Sequence, residues 1–220
     1  MRFGILQFPG SCDERDAVEA AARVGDAELL WHREGNLGQV DAIIVPGGFS
    51  YGDYLRAGAI ARFSPAMESV IAFANEGGPV LGICNGFQVL CEAGLLPGAL
   101  LRNTSLRFRC AQVDIEVVNA ETAWTSAASP GETLSIPAKH GEGRFYAPNV
   151  EELEANGQVA FRYAPRQNPN GSLNDIAGVC NERGNVVGLM PHPEHAVDAL
   201  TGSTDGLKLF ASAVGALAGR

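Results

Sequence analysis

Cys84 stands out because a glycine lies two residues before it and another lies two residues after it. It belongs to the segment "PVLGICNGFQVL" (79–90), which begins as a short apolar strand and continues as a helix from Asn85. The pattern G-x-nucleophile-x-G is typical of a sharp strand-to-helix turn, where the flanking positions need very small side chains. The N-terminus of the following helix would favour the thiolate form of the cysteine. We therefore predict that Cys84 is a nucleophile.

A thiolate that attacks an amide needs a base and a proton donor for the leaving group, and one histidine can fill both roles. His192 lies in "GLMPHPEH", where an apolar strand gives way to two prolines, and Glu194 lies two residues later. In an extended chain both side chains emerge on one face, so the carboxylate can orient the imidazole. His195 has no acidic residue at that spacing and ranks second, while His140 in "AKHGEGRF" could help to shape a pocket and His32 is expected at the surface.

Two loops could supply backbone N–H groups to stabilise a developing oxyanion. The amide of Asn85 directly follows the candidate nucleophile. Gly47 and Gly48, in "VPGGFSYGDY", follow the apolar strand segment "DAIIV", and glycine lets a backbone N–H turn toward a ligand. An ordinary turn at the end of a strand would explain the same two glycines, so both interpretations stay open at this point.

These residues need a scaffold that brings the ends of several strands together. Strand and helix patterns alternate through roughly the first 95 residues, which favours right-handed βαβ units and a parallel sheet. The second half contains further strand patterns, of which "IAGVCN" and "NVVGLM" are predicted to form a hairpin through "ERG". We predict one α/β domain over residues 1–220, with a mixed, mostly parallel central sheet, helices on both faces and an antiparallel portion in the second half. Cys84 then falls at the carboxyl edge of the sheet, where ligands bind in such folds.

Composition limits the classes of partner. The 220 residues include 16 basic and 25 acidic side chains, for a net charge of −9, which argues against nucleic acid or an anionic membrane as the main partner. Apolar runs are of strand length, far below the roughly 20 residues of a membrane span. Five cysteines without C-x-x-C spacing fit neither a disulfide framework nor a zinc site, and no secretory signal is evident. A cytoplasmic location without a bound metal is therefore expected.

The segments "GICNGFQ", "VPGGFS" and "PHPE" resemble those of class I (triad-type) glutamine amidotransferases, which have a flavodoxin-like fold. "SYGDYLRAGAIA" and "NPNGSLNDIAGV" are similar to one branch of that family, the glutaminase subunits of a synthetase of purine biosynthesis. The resemblance implies roles that can be assigned to individual positions. It implies a triad of Cys84, His192 and Glu194, oxyanion donors at Gly48 and Asn85, and a substrate contact at Gln88.

The resemblance also implies an activity and its partners. Glutamine would be hydrolysed to glutamate and ammonia through a cysteinyl thioester, and ammonia would pass to an ATP-dependent enzyme. The chain has no G-x-x-x-x-G-K-[ST] loop, so ATP and Mg²⁺ are expected on a separate large synthetase subunit, joined by a small third subunit. Two alternatives stay open, a glutaminase subunit of another synthetase and a non-enzymatic redox-sensing protein. The second has no need of the H-x-E pair in "PHPE".

Overall fold

A computed structural model describes residues 1–218 of the chain. Its strands are β1 (Arg2–Gln7), β2 (Asp26–Trp31), β3 (Ala42–Val45), β4 (Val80–Ile83), β5 (Ala99–Leu101), β6 (Arg109–Val117), β7 (Thr133–His140), β8 (Arg144–Tyr146), β9 (Val159–Tyr163), β10 (Ile176–Cys180) and β11 (Val186–Leu189). Its α-helices are α1 (Glu14–Ala21), α2 (Pro65–Asn75), α3 (Asn85–Glu92), α4 (Val150–Ala155) and α5 (Leu207–Ala218).

Within residues 1–218, nine strands form one mixed sheet in the order β2-β1-β3-β4-β11-β10-β9-β6-β7. The pairings β1–β2, β1–β3, β3–β4 and β4–β11 are parallel. The pairings β10–β11, β9–β10, β6–β9 and β6–β7 are antiparallel. The predicted mixed α/β sheet with an antiparallel portion in the second half is therefore confirmed, and parallel pairings make up half of it. The predicted hairpin is the β10–β11 pair.

The centre of the sheet is covered on both faces. Every residue of β3, β4, β10 and β11 is buried, as expected for apolar strands packed between two layers. The chain moves from β1 to β2 in one direction along the sheet and from β3 to β4 in the other, so right-handed crossovers place α1 and α2 on opposite faces. The strand order reverses between β1 and β3, and crevices for ligands form at such a point, at the carboxyl ends of the strands.

Some elements differ from the sequence-based expectation. A two-stranded antiparallel ribbon of β5 and β8 and the short helix α4 were not predicted, because each is too brief to show a clear periodicity. His32, expected at the surface, is buried, and its Nδ1 lies 2.7 Å from the Tyr51 hydroxyl. The aromatic rings of Trp31 and Tyr51 pack edge-on against that imidazole. No helix in the described part of the chain is long and apolar enough to cross a membrane.

Candidate active site

Cys84 occupies the turn between β4 and α3 in a strained backbone conformation, with φ 51° and ψ −103°. Few residues with a side chain adopt this region, and such strain is often kept at functional sites. Both flanking positions require glycine for steric reasons. A Cβ at Gly82 would lie 2.9 Å from the carbonyl carbon of Gly86, and a Cβ at Gly86 would collide with the backbone oxygen of Val45 in β3. The helix thus begins directly against two strands, and this contact fixes the turn that carries the thiol.

His192 and Glu194 follow β11 and form a buried pair, with His192 Nδ1 2.6 Å from Glu194 Oε1. Burial alone would lower the pKa of His192, but the Glu194 carboxylate and the Cys84 sulfur outweigh it and raise that pKa above its usual range. The other ring nitrogen, Nε2, meets no partner at full hydrogen-bond geometry among residues 1–218, although Cys84 lies near enough to act on the imidazole.

Gly48 and Asn85 provide backbone N–H groups beside the thiol. Gly48 has a φ of 141° and pairs with Ser11 in an isolated antiparallel bridge. In that bridge the Cys12 N–H donates to the Gly47 carbonyl oxygen, and the Phe49 N–H donates to the Gly10 carbonyl oxygen. The N–H of Gly48 itself has no described partner. Asn85 is the first residue of α3, and N–H groups in a first helical turn have no intrahelical acceptor. Two donors are therefore free to face an anion.

A cavity of about 210 Å³ lies at this site, and Gly47, Asn85 and Glu194 stand outside its lining. Five residues singled out in the sequence line it, namely Gly48, Cys84, Gln88, His140 and His192. The rest of the wall consists of Cys12, Asp13, Phe49, Asp53, Phe108, Lys139, Gly141 and Glu142. Three segments far apart in the sequence, those after β3, β4 and β11, thus place the candidate nucleophile, an N–H donor and an imidazole around one space.

The side chain of Gln88 is held in position at the cavity wall. Its Nε2 donates to the Glu142 carbonyl oxygen over 2.7 Å, and its Oε1 accepts from Asn85 Nδ2 over 2.9 Å. Asn85 Nδ2 also donates to Asp53 Oδ1 over 3.2 Å. Burial raises the pKa of Asp53 to about 6, and the negative charge of Glu142 adds to the effect, against the hydrogen bond from Asn85. This end of the cavity is polar and anionic, which suits a ligand with a cationic group.

Asp13 and Lys139 belong to the site although the sequence-based prediction did not include them. Asp13 Oδ1 lies 2.5 Å from Lys139 Nζ and 3.3 Å from His195 Nε2, and Asp13 Oδ2 lies 3.6 Å from His192 Nδ1. One signal could have indicated Asp13, since it follows the first strand and loops after parallel strands meet at one edge. Lys139 comes from β7, and nothing local marks it.

The carboxylates and imidazoles here could chemically suit a metal ion, since ligand atoms of Asp13, His192, Glu194 and His195 all lie within 4.8 Å of one another. Their atoms are, however, largely paired with each other. Glu194 is bound to His192, and the ammonium of Lys139 already supplies a positive charge to Asp13. Both carboxylates of the cluster therefore already have an imidazole or ammonium partner within the protein.

Comparison with known proteins gives consistent matches. A family model described as the CobB/CobQ-like glutamine amidotransferase domain matches residues 1–214. The phosphoribosylformylglycinamidine synthase subunit PurQ of Mycobacterium bovis is 60% identical over 220 residues, which cover 98% of this chain and 97% of that protein. The subunit of the same name from Trichormus variabilis is 56% identical over 214 residues, covering 96% of this chain and 95% of that one.

A solved structure agrees with these matches. A chain in the structure of PurLQS from Thermotoga maritima superposes with a TM-score of 0.90 at 44% identity, covering 98% of both chains. The family resemblance found in the segments around Cys84, Gly48 and His192 is thus confirmed along nearly the whole length. The chain belongs to the glutamine amidotransferase family, within the branch formed by the PurQ subunits of phosphoribosylformylglycinamidine synthase.

Proposed function

We propose that this chain is the glutaminase subunit of phosphoribosylformylglycinamidine synthase and that Cys84, His192 and Glu194 are its catalytic triad. The observation that carries the proposal is that one cavity is lined by a strained cysteine and by His192, whose imidazole is paired with the buried Glu194, within a chain 60% identical to a PurQ subunit. We include residues 1–220 in a single amidotransferase domain, supported by the sheet that runs from β1 to β11 and by the family match over residues 1–214.

In the first half of the reaction, Cys84 attacks the side-chain carboxamide of glutamine. A C–S bond forms, and the carbonyl oxygen becomes an oxyanion that accepts hydrogen bonds from the Gly48 and Asn85 N–H groups, with Gly47 shaping the same loop. The raised pKa of His192 keeps its imidazole protonated while Glu194 orients it. His192 then gives a proton to the leaving nitrogen, the C–N bond breaks, and ammonia departs from a glutamyl thioester.

In the second half, water replaces ammonia. Neutral His192 takes a proton from a water molecule whose oxygen attacks the thioester carbonyl, and the same N–H groups stabilise the second oxyanion. When the C–S bond breaks, the new carboxyl group releases its proton to solvent, glutamate leaves, and the thiolate of Cys84 is regenerated beside the imidazolium of His192. Gln88, held by Asn85 and by the Glu142 carbonyl, is proposed to contact the substrate glutamine.

Ammonia must reach its acceptor without being protonated in bulk water, so the partner has to cover the cavity. Apolar side chains are exposed on the loops that contribute to its wall. Phe49 and Phe108 line the cavity and are half exposed, while Leu55 and Leu106 are 90% and 77% exposed and lie within two residues of Asp53 and Phe108. Exposed apolar side chains that cluster in this way are typical of protein interfaces.

We propose that the rim formed by Phe49, Leu55, Leu106 and Phe108 docks onto a large synthetase subunit, assisted by a small third subunit. That partner binds ATP and Mg²⁺ and uses the ammonia to convert formylglycinamide ribonucleotide to formylglycinamidine ribonucleotide. No cofactor is assigned to the chain itself. A cytoplasmic location is part of the proposal, supported by five free cysteines in a chain of an amidotransferase family.

Reconstitution with the large synthetase subunit tests the function. We expect Cys84→Ala to abolish glutamine-dependent synthesis of the amidine while synthesis from added ammonium salt continues at the wild-type rate. Cys110→Ala is the matched control, since its thiol is exposed and does not line the cavity. Full glutamine-dependent activity in Cys84→Ala would disprove the nucleophile. Amidation of a different acceptor by a different ATP-dependent partner would instead identify a glutaminase of another synthetase.

A further inference from the structure

Asp13 is a buried carboxylate that the proposed triad does not use. It is 4% exposed and lies directly before α1, at the carboxyl edge of β1. Burial alone would raise its pKa, but the hydrogen bond from His195 and the positive charges of His192 and Lys139 lower it well below its usual range. The side chain is therefore an anion inside the site, 3.6 Å from the nitrogen of His192 that also meets Glu194.

The backbone and side chain of Asp13 both contact the loop that carries the free Gly48 N–H. The N–H groups of Cys12 and Asp13 donate to the Gly47 carbonyl over 3.1 Å and 3.3 Å. A Cβ at Gly47 would lie 2.7 Å from Cε1 of His192 and would collide with Asp13 Oδ2. The absence of a side chain at Gly47 thus lets the carboxylate, the imidazole and the loop approach one another closely.

Lys139 connects the same carboxylate to the nucleophile. Its Nζ lies 2.5 Å from Asp13 Oδ1, and its backbone oxygen lies 3.7 Å from the sulfur of Cys84. A single residue of β7 therefore contacts Asp13 through its side chain and Cys84 through its main chain. Moving either contact would shift the other.

We propose that Asp13 is a positioning residue of the active site, whose carboxylate, bridged to Lys139 and His195, aligns the imidazole of His192 with the Gly47–Gly48 loop and with Cys84. The proposal rests on the proposed glutaminase function. Glu194 orients His192 directly at 2.6 Å, and Asp13 acts at longer range by its charge and by the three segments it joins. Chemically, it supports the imidazolium formed when Cys84 is a thiolate.

The charge of Asp13 gives the proposal a signature that a purely structural role would lack. The charged or titratable groups around His192 are Glu194 and His195 on its own segment, Asp13 before α1, Cys84 after β4, and Lys139 and His140 on β7. Removing a negative charge from this set lowers the pKa of His192, and removing a positive charge raises it. The alkaline limb of the kcat/KM profile follows that pKa.

The test uses the complex with the large synthetase subunit and compares Asp13→Asn, Lys139→Met and the surface control Asp26→Asn. We expect Asp13→Asn to lower the kcat of glutamine hydrolysis roughly 10- to 100-fold with little change in KM, because small misplacements of reacting groups are that costly. The alkaline limb of the kcat/KM profile should move to lower pH in Asp13→Asn and to higher pH in Lys139→Met. Ammonia-dependent synthesis should be unchanged in all three.

Several outcomes would decide the matter. The role of Asp13 would be overturned if the kcat of Asp13→Asn stayed within twofold of wild type. It would also be overturned if the alkaline limbs of Asp13→Asn and Lys139→Met moved in the same direction. Should Asp13→Asn fail to fold, Asp13→Glu and Lys139→Met still test it, since the first keeps the charge and should keep the wild-type limb. Failure of the glutaminase function is distinguishable, because it would appear as glutamine-dependent activity in Cys84→Ala.

Discussion

Asn85 Nδ2 donates to Gln88 Oε1 over 2.9 Å, so the residue after the candidate nucleophile fixes the side chain one helical turn later. Asn85 is itself held, because its Oδ1 accepts the Ser50 N–H over 3.1 Å. The loop after β3 and the first turn of α3 are thereby linked through one amide side chain. The cavity wall that carries Gln88 is thus positioned by the same segments that carry the thiol and the N–H groups of Gly48 and Asn85.

Gln88→Ala should weaken binding of glutamine more than it slows chemistry. Losing the amide removes the proposed contact to the substrate and leaves Asn85 without one acceptor, so we expect the KM for glutamine to rise roughly tenfold, equivalent to about 1.4 kcal/mol. The measurement is steady-state glutaminase kinetics in the complex. Gln112→Ala, which alters an exposed glutamine on β6, is the control and should leave KM unchanged. An unaltered KM in Gln88→Ala would remove Gln88 from the substrate site.

Gly86→Ala should destabilise the fold, because the new methyl group would collide with the backbone oxygen of Val45. Overpacking of this kind costs roughly 1–3 kcal/mol in the free energy of unfolding. Gly215→Ala in α5 is the matched control, since its Cβ would meet nothing within 4 Å. That control should stabilise the protein by about 0.5–1 kcal/mol, as alanine favours a helix. Urea unfolding measures both, and equal effects would contradict the steric account of the turn.

Local sequence patterns carried enough information to predict the turn at Cys84 and the pairing of His192 with Glu194, because each depends on spacing within a few residues. The strand alternation likewise predicted the mixed sheet and its hairpin. The contact between Asp13 and Lys139 could not be predicted, since it joins residues 126 positions apart and depends on how β7 reaches the edge of the sheet. The burial of His32 was missed because it results from packing by the loop after β3, which no local pattern describes.

His192→Ala should impair glutamine hydrolysis far more than His195→Ala. His192 is the buried partner of Glu194, whereas His195 is partly exposed and contacts Asp13 at 3.3 Å. General acid–base catalysis contributes roughly 10²–10⁴-fold, so a loss in that range is expected for His192→Ala and less than tenfold for His195→Ala. Single-turnover formation and hydrolysis of the thioester measure the two steps. The reverse ranking would show that His195 is the base.

Stability should fall between about pH 6.5 and pH 4 because of His140. Burial lowers the pKa of this imidazole to about 4, and the charge of His192 adds to the effect. The unfolded chain therefore binds a proton in this window while the folded chain does not, and each pH unit costs up to about 1.4 kcal/mol. Urea unfolding at pH 7.5 and pH 5.5 should show a smaller acid loss in His140→Gln than in wild type. Equal losses of stability in the two proteins would mean that His140 does not cause the fall in the free energy of unfolding at acid pH.

Leu55→Asp and Leu106→Asp should weaken docking to the large synthetase subunit. Both side chains are exposed and lie within two residues of the cavity-lining Asp53 and Phe108, and a carboxylate there would be desolvated on assembly without a partner. We expect at least a tenfold rise in the dissociation constant, measured by calorimetry, with the free energy of unfolding unchanged. Leu200→Asp is the matched control, because Leu200 is 96% exposed and none of its near neighbours in the sequence lines the cavity. Should Leu200→Asp weaken the complex while the two rim variants bind normally, the partner covers another face and ammonia leaves by a different route.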